Sequence, residues 1–161
     1  MSHSLRRRIG RRGYAGFTLI EVMIAVLIMG LGLLGFAMLQ TMSVRFTKSA
    51  QDRTIATNLA YELVDMMRTQ RSQASYYNGI TYGSFGSITG TEDACKRTSS
   101  ATPNEIIPRW RCEVRRAFPD GDAQVALAAD GEVTVTLRWT DAYWEQDAAK
   151  QKSQIELKSR L

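Results

Sequence analysis

The sequence predicts an α+β fold in which one long N-terminal helix packs on a small antiparallel sheet. From residue 17 to residue 39 the chain is apolar apart from Thr18 and Glu21, and residues 40–71 contain neither proline nor glycine. Near the C-terminus, four large apolar residues alternate with polar ones: Val133, Val135, Leu137 and Trp139. Such alternation is typical of a half-buried strand.

The apolar run 17–39 is long enough to cross a membrane. As a helix it measures roughly 35 Å at about 1.5 Å per residue, and a hydrocarbon core is about 30 Å thick. The apolar region of a secretory signal peptide, the nearest alternative, has only about 7–15 residues and ends at a cleavage site. We therefore predict a transmembrane half over 17–39 that continues as an amphipathic half over 40–72.

The amphipathic half carries an apolar stripe at three-to-four spacing, formed by Ile55, Leu59, Leu63, Met66 and Met67. This spacing places the side chains on one helix face. We expect the stripe to pack against the domain formed by residues 73–161, and it requires no cofactor.

Positive charge is concentrated in the first 16 residues. This segment holds five arginines and no acid, and without it the chain has 16 Lys+Arg against 16 Asp+Glu. The body is therefore formally neutral and lacks the basic surface typical of nucleic-acid-binding domains. The arginines predict that residues 1–16 stay in the cytoplasm while the domain is delivered across the membrane.

The single histidine, His3, lies in this basic segment. The body thus has no imidazole for general-base catalysis or metal binding. We predict no catalytic residue, no metal and no cofactor, and hence a protein that is not an enzyme.

Two cysteines, Cys95 and Cys112, lie in the predicted exported domain. An oxidising periplasm favours a disulfide between them, which would close a loop of about 16 residues and contribute about 3 kcal/mol. The alternative is two reduced cysteines whose Cα atoms lie too far apart to bridge.

The C-terminal region is predicted to combine a loop with several strands. Tyr76–Gly90 is rich in Gly, Ser, Thr and Tyr and predicts a loop. Its aromatic residues could contact a partner or pack back on the helix: Tyr76, Tyr77, Tyr82 and Phe85. Apolar residues at 125–129 precede Asp130-Gly131, which predicts a two-residue hairpin turn, and Ile155 with Leu157 predict a last strand.

A further strand is predicted over Trp110–Val114, with Cys112 on it. Four nearby arginines would then share one face of this strand: Arg109, Arg111, Arg115 and Arg116. Such a face could simply be solvated, or it could dock an acidic partner.

The head of the apolar run resembles the class III signal of type IV pilins and type II secretion pseudopilins. The residues that carry the resemblance are Gly16-Phe17-Thr18-Leu19-Ile20-Glu21-Val22, preceded by the basic leader 1–16. The resemblance implies the type IV pilin fold. It also implies that prepilin peptidase cuts between Gly16 and Phe17 and N-methylates Phe17, using S-adenosylmethionine that this chain does not bind. Glu21 would meet the Phe17 amine of a neighbouring subunit.

The family usually has a basic residue close to the cleavage glycine, whereas Tyr14 and Ala15 intervene here. The resemblance further implies a minor pilin, held in the bacterial inner membrane and then incorporated in a pilus. Its partners would be prepilin peptidase, the major pilin, other minor pilins and a tip adhesin, with no nucleic acid.

Two alternatives share the same signal. The first is a type II secretion pseudopilin. In that case a deletion strain would lose enzyme secretion rather than twitching motility. A DNA-uptake pilin would bind DNA through Arg109–Arg116 in a salt-dependent manner.

Overall fold

A computed structural model describes residues 16–88, 90, 95–96 and 102–161. Apart from Gly16, the predicted leader lies outside the described residues. The chain divides into two compact units, Met1–Val44 and Arg45–Leu161. Helix α1, Leu19–Thr69, contributes residues to both units.

In the first unit, α1 begins at Leu19, two residues after the predicted start. The large apolar side chains between Leu19 and Leu39 are all between 52% and 79% exposed. Among the described residues one helix is long and apolar enough to cross a membrane, and none of its most apolar window, of mean hydropathy 2.6, is buried within the protein. This exposure separates it from the core helix of a soluble domain, whose apolar residues are covered.

In the second unit, α1 ends at Thr69 rather than near Ser72, and a 3₁₀ helix follows over Arg71–Gly79. A second 3₁₀ helix spans Tyr82–Phe85, so the predicted loop is largely helical. Two of its aromatic residues pack into the core, as one of the two alternatives predicted. Tyr77 and Phe85 are fully buried, whereas Tyr76 is exposed.

The sheet has three antiparallel strands in the order β1-β2-β3. They span Asp122–Leu127, Glu132–Thr140 and Lys152–Arg160, and a short helix, α3 (Ala148–Gln151), precedes β3. Val135 pairs with Val125 on one side and with Leu157 on the other. The strand predicted from Val133 to Trp139 is confirmed, and those four apolar residues are at most 2% exposed. The predicted last strand is also confirmed.

The β1–β2 connection differs from the predicted two-residue turn. The Ala128 N–H donates to the Glu132 carbonyl at 2.8 Å, and the Gly131 N–H donates to the Ala128 carbonyl at 3.1 Å. The loop therefore has three residues, of which Gly131 has a φ of 83°. A three-residue hairpin loop needs a residue in this left-handed region at that position, and glycine adopts it without a steric cost.

The predicted strand at Trp110–Val114 is wrong, because these residues belong to helix α2, Pro103–Ala117. Proline at the first helical position presets the backbone angle. Ile106, Trp110 and Val114 are then buried at four-residue spacing, which is a helical stripe. Because helix side chains rotate around the axis, the four arginines do not share a face. Arg111 and Arg115 lie one turn apart on one side, and Arg109 and Arg116 lie on another.

One hydrophobic core unites α1, α2, both 3₁₀ helices and the sheet in the second unit. Leu63 and Met67 of the predicted stripe are completely buried, as are the neighbouring Ala56 and Ala60. The other three stripe residues pack against the core partly buried: Ile55, Leu59 and Met66. The ring of Phe118, just after α2, stacks on Trp139 of β2 with centroids 5.2 Å apart. The α+β architecture of one long helix and a small antiparallel sheet is confirmed and fits the type IV pilin fold.

Candidate processing and assembly site

Thr18 determines where the long helix begins. Its hydroxyl accepts the N–H of Glu21 at 3.3 Å, and its carbonyl accepts the N–H groups of Glu21 and Val22. Threonine is a preferred N-cap because its oxygen satisfies one of the free N–H groups in the first turn. Gly16 and Phe17 therefore precede the helix.

The sequence contains a signal for this cap that our sequence analysis missed. Thr18 and Glu21 have the Thr-x-x-Glu spacing that commonly opens a helix. A Cβ added at Gly16 would meet no atom of the described residues within 4 Å, so these residues do not require glycine there.

Glu21 lies in the first turn of α1. Its carboxylate accepts no hydrogen bond and forms no ion pair with any residue that the structure describes. The partial positive charge of the helix N-terminus favours an acid in this turn. This interaction lowers the free-energy cost of a carboxylate in an apolar helix, but it supplies no discrete partner for the charge of Glu21.

Phe17 and Glu21 share one side of the α1 N-terminus with a row of apolar residues. Together with Val22, Ala25, Val26 and Met29 they line a shallow open hollow. Phe17 itself is 83% exposed. The hollow places a carboxylate beside a row of apolar side chains that could receive another apolar helix.

The second unit contains the predicted disulfide. Cys95 and Cys112 are bonded, with their Cα atoms 5.3 Å apart, within the normal range for disulfides. Cys112 lies on α2, so the bond attaches Cys95 to this helix.

Removing the disulfide by the double substitution Cys95→Ser/Cys112→Ser is expected to lower the free energy of unfolding by about 3 kcal/mol, because the unfolded chain gains loop entropy. Urea-dependent proteolysis of the full chain in detergent measures this change. Reduction of the wild-type chain is a matched control, since it contains only two cysteines. Equal stability of the oxidised and reduced chains would contradict the prediction.

Three of the four arginines that were predicted to share one face contact other residues of the protein. Arg109 connects α1 to α2, with its Nη2 3.3 Å from the Glu62 carboxylate and its Nε 3.6 Å from that of Glu113. Arg115 donates to the carbonyls of Pro119 and Phe85 at 2.7 and 3.0 Å.

Arg111 stacks over the Phe85 ring, with its guanidinium carbon 5.4 Å from the centroid. Burial lowers the pKa of this guanidinium. Of the four arginines only Arg116 is exposed. The prediction of one shared arginine face, whether solvated or docking, is therefore wrong, because three of these side chains hold α2 in place.

Arg138, on β2, contacts both β1 and the second 3₁₀ helix. Arg138 donates to both oxygens of Asp122 at 2.8 and 2.7 Å and lies 3.4 Å from the centroid of the Tyr82 ring. The hydrogen bond to Asp122 raises the pKa of Arg138. The guanidinium covers one face of the Tyr82 ring, which is consequently only partly exposed. These contacts give Arg138 a structural role.

Two buried acids lie where α1 meets the segment after β2, and the sequence did not identify them. Asp52 is 6% exposed and pairs with Lys48 at 2.5 Å. Asp141 is 8% exposed and accepts the hydroxyls of Ser49 and Ser153 at 2.5 and 3.2 Å. A buried carboxylate is stable only when it is hydrogen-bonded or paired. The Asp52 pair lies within α1, whereas the Ser49–Asp141 hydrogen bond fixes the segment after β2 against α1.

Comparison with known proteins gives one match. Residues 11–37 match the family described as the prokaryotic N-terminal methylation motif. The matched segment includes Gly16, Phe17, Thr18 and Glu21. No curated protein and no solved structure showed significant similarity to the chain. The motif supports a type IV pilin-like protein that is a substrate of prepilin peptidase.

Proposed function

We propose that this chain is a minor pilin that prepilin peptidase processes at the inner membrane and that then joins a type IV pilus. The observation that carries the proposal is the methylation motif at residues 11–37. It lies at the head of a capped helix whose most apolar window is not buried within the protein. In this proposal the leader is residues 1–16, and the domain 73–161 is periplasmic. The protein acts by binding and assembly rather than by catalysis.

The position of the helix cap supports cleavage between Gly16 and Phe17. Because α1 begins after Thr18, the Gly16–Phe17 peptide group lies outside the helical hydrogen bonds. A backbone engaged in a helix would have to unfold before it could enter a protease cleft. None of the residues that the structure describes requires glycine at position 16, so the requirement would come from the peptidase, which must approach the backbone closely.

Cleavage would place a new positive charge near Glu21. An α-amino group has a pKa of about 8 and remains cationic after N-methylation. In an apolar bundle, where the effective dielectric constant is low, opposite charges attract strongly. The unpaired Glu21 carboxylate and the adjacent apolar hollow together suit the N-terminus of a neighbouring pilin.

The rest of the chain suggests a particular minor pilin. The order of several features along the chain resembles that of the minor pilin PilV. These features are Cys95, Trp110 and Cys112, then Phe118-Pro119-Asp120-Gly121, and then the strand 133–140. Proteins of that type are expected to prime pilus assembly and to help present a tip adhesin, and thus to contribute to adhesion and twitching motility. The engagement of Arg109, Arg111 and Arg115 within the fold argues against a DNA-binding surface at this position.

Mass spectrometry of the mature N-terminus tests the proposal directly. The chain recovered from membranes or filaments is expected to begin at Phe17 and to carry one N-methyl group. A strain without prepilin peptidase should yield the full leader, which provides the control. A mature chain that begins at Met1, or that is cut at any other bond, would overturn the proposal.

A further inference from the structure

An exposed aromatic pair lies in the connection between β2 and α3. Tyr143 is 66% exposed and Trp144 is 44% exposed. The other two tryptophans, Trp110 and Trp139, are at most 2% exposed. The guanidinium carbon of Arg45 lies 5.0 Å from the centroid of the Trp144 ring, a cation–π distance.

The loop that carries this pair is fixed to α1. Asp141, at its start, accepts the hydroxyl of Ser49 at 2.5 Å. The N–H groups of Asp141 and Ala142 donate to the Gln151 carbonyl at 2.8 and 3.2 Å. The exposed rings therefore have a defined position beside residues 45–49.

Chain length places this part of α1 close to the end of the apolar run. Arg45 follows Leu39 by six residues, which measure about 9 Å as a helix. The polar layer of a bilayer extends roughly 5–8 Å beyond the hydrocarbon core on each side. Because Arg, Tyr and Trp side chains extend several Å from the backbone and can turn toward the interface, they can reach the headgroups.

The side chains of Arg45, Tyr143 and Trp144 suit the headgroup layer chemically. Tyrosine and tryptophan are enriched at the membrane interface because their rings are apolar with one polar group, and arginine binds phosphate through several N–H donors. Phe46, 74% exposed, adds an apolar group beside Arg45. Glu145 and Asp147 in the same loop are exposed acids, so the cluster is not suited to select anionic lipids.

We propose that Arg45, Phe46, Tyr143 and Trp144 form a second membrane contact, which rests the periplasmic unit on the phospholipid headgroups before assembly. The inference depends on the proposed membrane insertion of residues 17–39. The contact would limit the orientations that the domain adopts while the subunit waits in the membrane. It would be released when the subunit leaves the bilayer.

Tryptophan quenching in vesicles tests this contact in the full chain. The protein is reconstituted in phosphatidylcholine vesicles that carry a nitroxide either on the headgroup or near the end of the acyl chain, in both leaflets. The first 44 residues contain no tryptophan, so Trp144 is the one expected to reach lipid. Headgroup nitroxide is expected to quench at least about twofold more than the deep nitroxide, as expected for an interfacial ring.

The Trp144→Phe variant should lose this difference, while the emission of Trp110 and Trp139 remains. If headgroup nitroxide reduced the emission of both proteins by the same fraction, or if the deep nitroxide quenched the wild type more strongly, the inference would be overturned. Sedimentation with vesicles after alkaline carbonate washing separates the two proposals. If the chain sediments with the vesicles but shows no headgroup quenching, only the second contact is contradicted. If the chain is washed off, membrane insertion is contradicted as well.

Discussion

Glu21→Gln is expected to exclude the chain from filaments while leaving membrane insertion and leader cleavage intact. The substitution keeps the size of the side chain and the Thr18 cap, which uses the Glu21 N–H, and removes only the charge. In the proposed bundle, the N-terminal amine of the neighbour would then be buried without a counter-charge. Loss of one partner from a buried ion pair costs about 3–5 kcal/mol, so incorporation should fall by roughly 100-fold or more.

Quantification of the variant in sheared filaments and in membranes, from the same cells, measures this effect. Glu132→Gln is the matched control, since this carboxylate is exposed at the start of β2 and its loss should not change the filament-to-membrane ratio. Both proteins should have the same mature N-terminus by mass spectrometry. Normal incorporation of Glu21→Gln would rule out the charge pairing while leaving the processing proposal intact.

The strands could be predicted because each one has a single buried face. In β2 the apolar residues from Val133 to Trp139 all face the core and the polar ones face away, so the period of two appears directly in the sequence. Ile155 and Leu157 of β3 show the same alternation, although both are only partly buried.

Helix α2 could not be identified from periodicity because it is covered on more than one side. Trp110 and Val114 face the core, and Cys112 between them is buried through the disulfide. The three residues consequently alternate as they would on a strand. Proline at position 108 lies inside this helix, where proline is normally unfavourable. The start signal was nevertheless present, because Pro103 and Glu105 are typical of a first helical turn.

The candidate site was partly predictable for a similar reason. Gly16, Phe17 and Glu21 lie within six consecutive residues, so a local motif contains them. The cluster around Asp141 joins it to Ser49, 92 residues away, and no local pattern encodes such a contact. An acid at position 52 within the helix was visible, but its burial depends on the fold of the sheet.

Trp110→Ala is expected to have the largest effect on the stability of the second unit. The side chain is completely buried, and its Nε1 donates to the Leu59 carbonyl of α1 at 2.9 Å. Its ring meets the edge of Phe85 with centroids 6.4 Å apart. It thus joins α2 to both α1 and the second 3₁₀ helix. Truncation of a buried aromatic residue to alanine costs about 3–5 kcal/mol, because a cavity remains.

Urea-dependent proteolysis of the full chain in detergent, with the disulfide intact, gives the free energy of unfolding of each variant. Trp110→Phe should lie between Trp110→Ala and wild type, since it retains most of the apolar volume and loses the hydrogen bond, worth about 0.5–1.5 kcal/mol. Trp144→Ala is the matched control and should cost less than about 1 kcal/mol, because its ring is 44% exposed. If Trp110→Ala cost no more than Trp144→Ala, α2 would not be held to α1 through this side chain, and the Arg109 contact to Glu62 would have to carry that role.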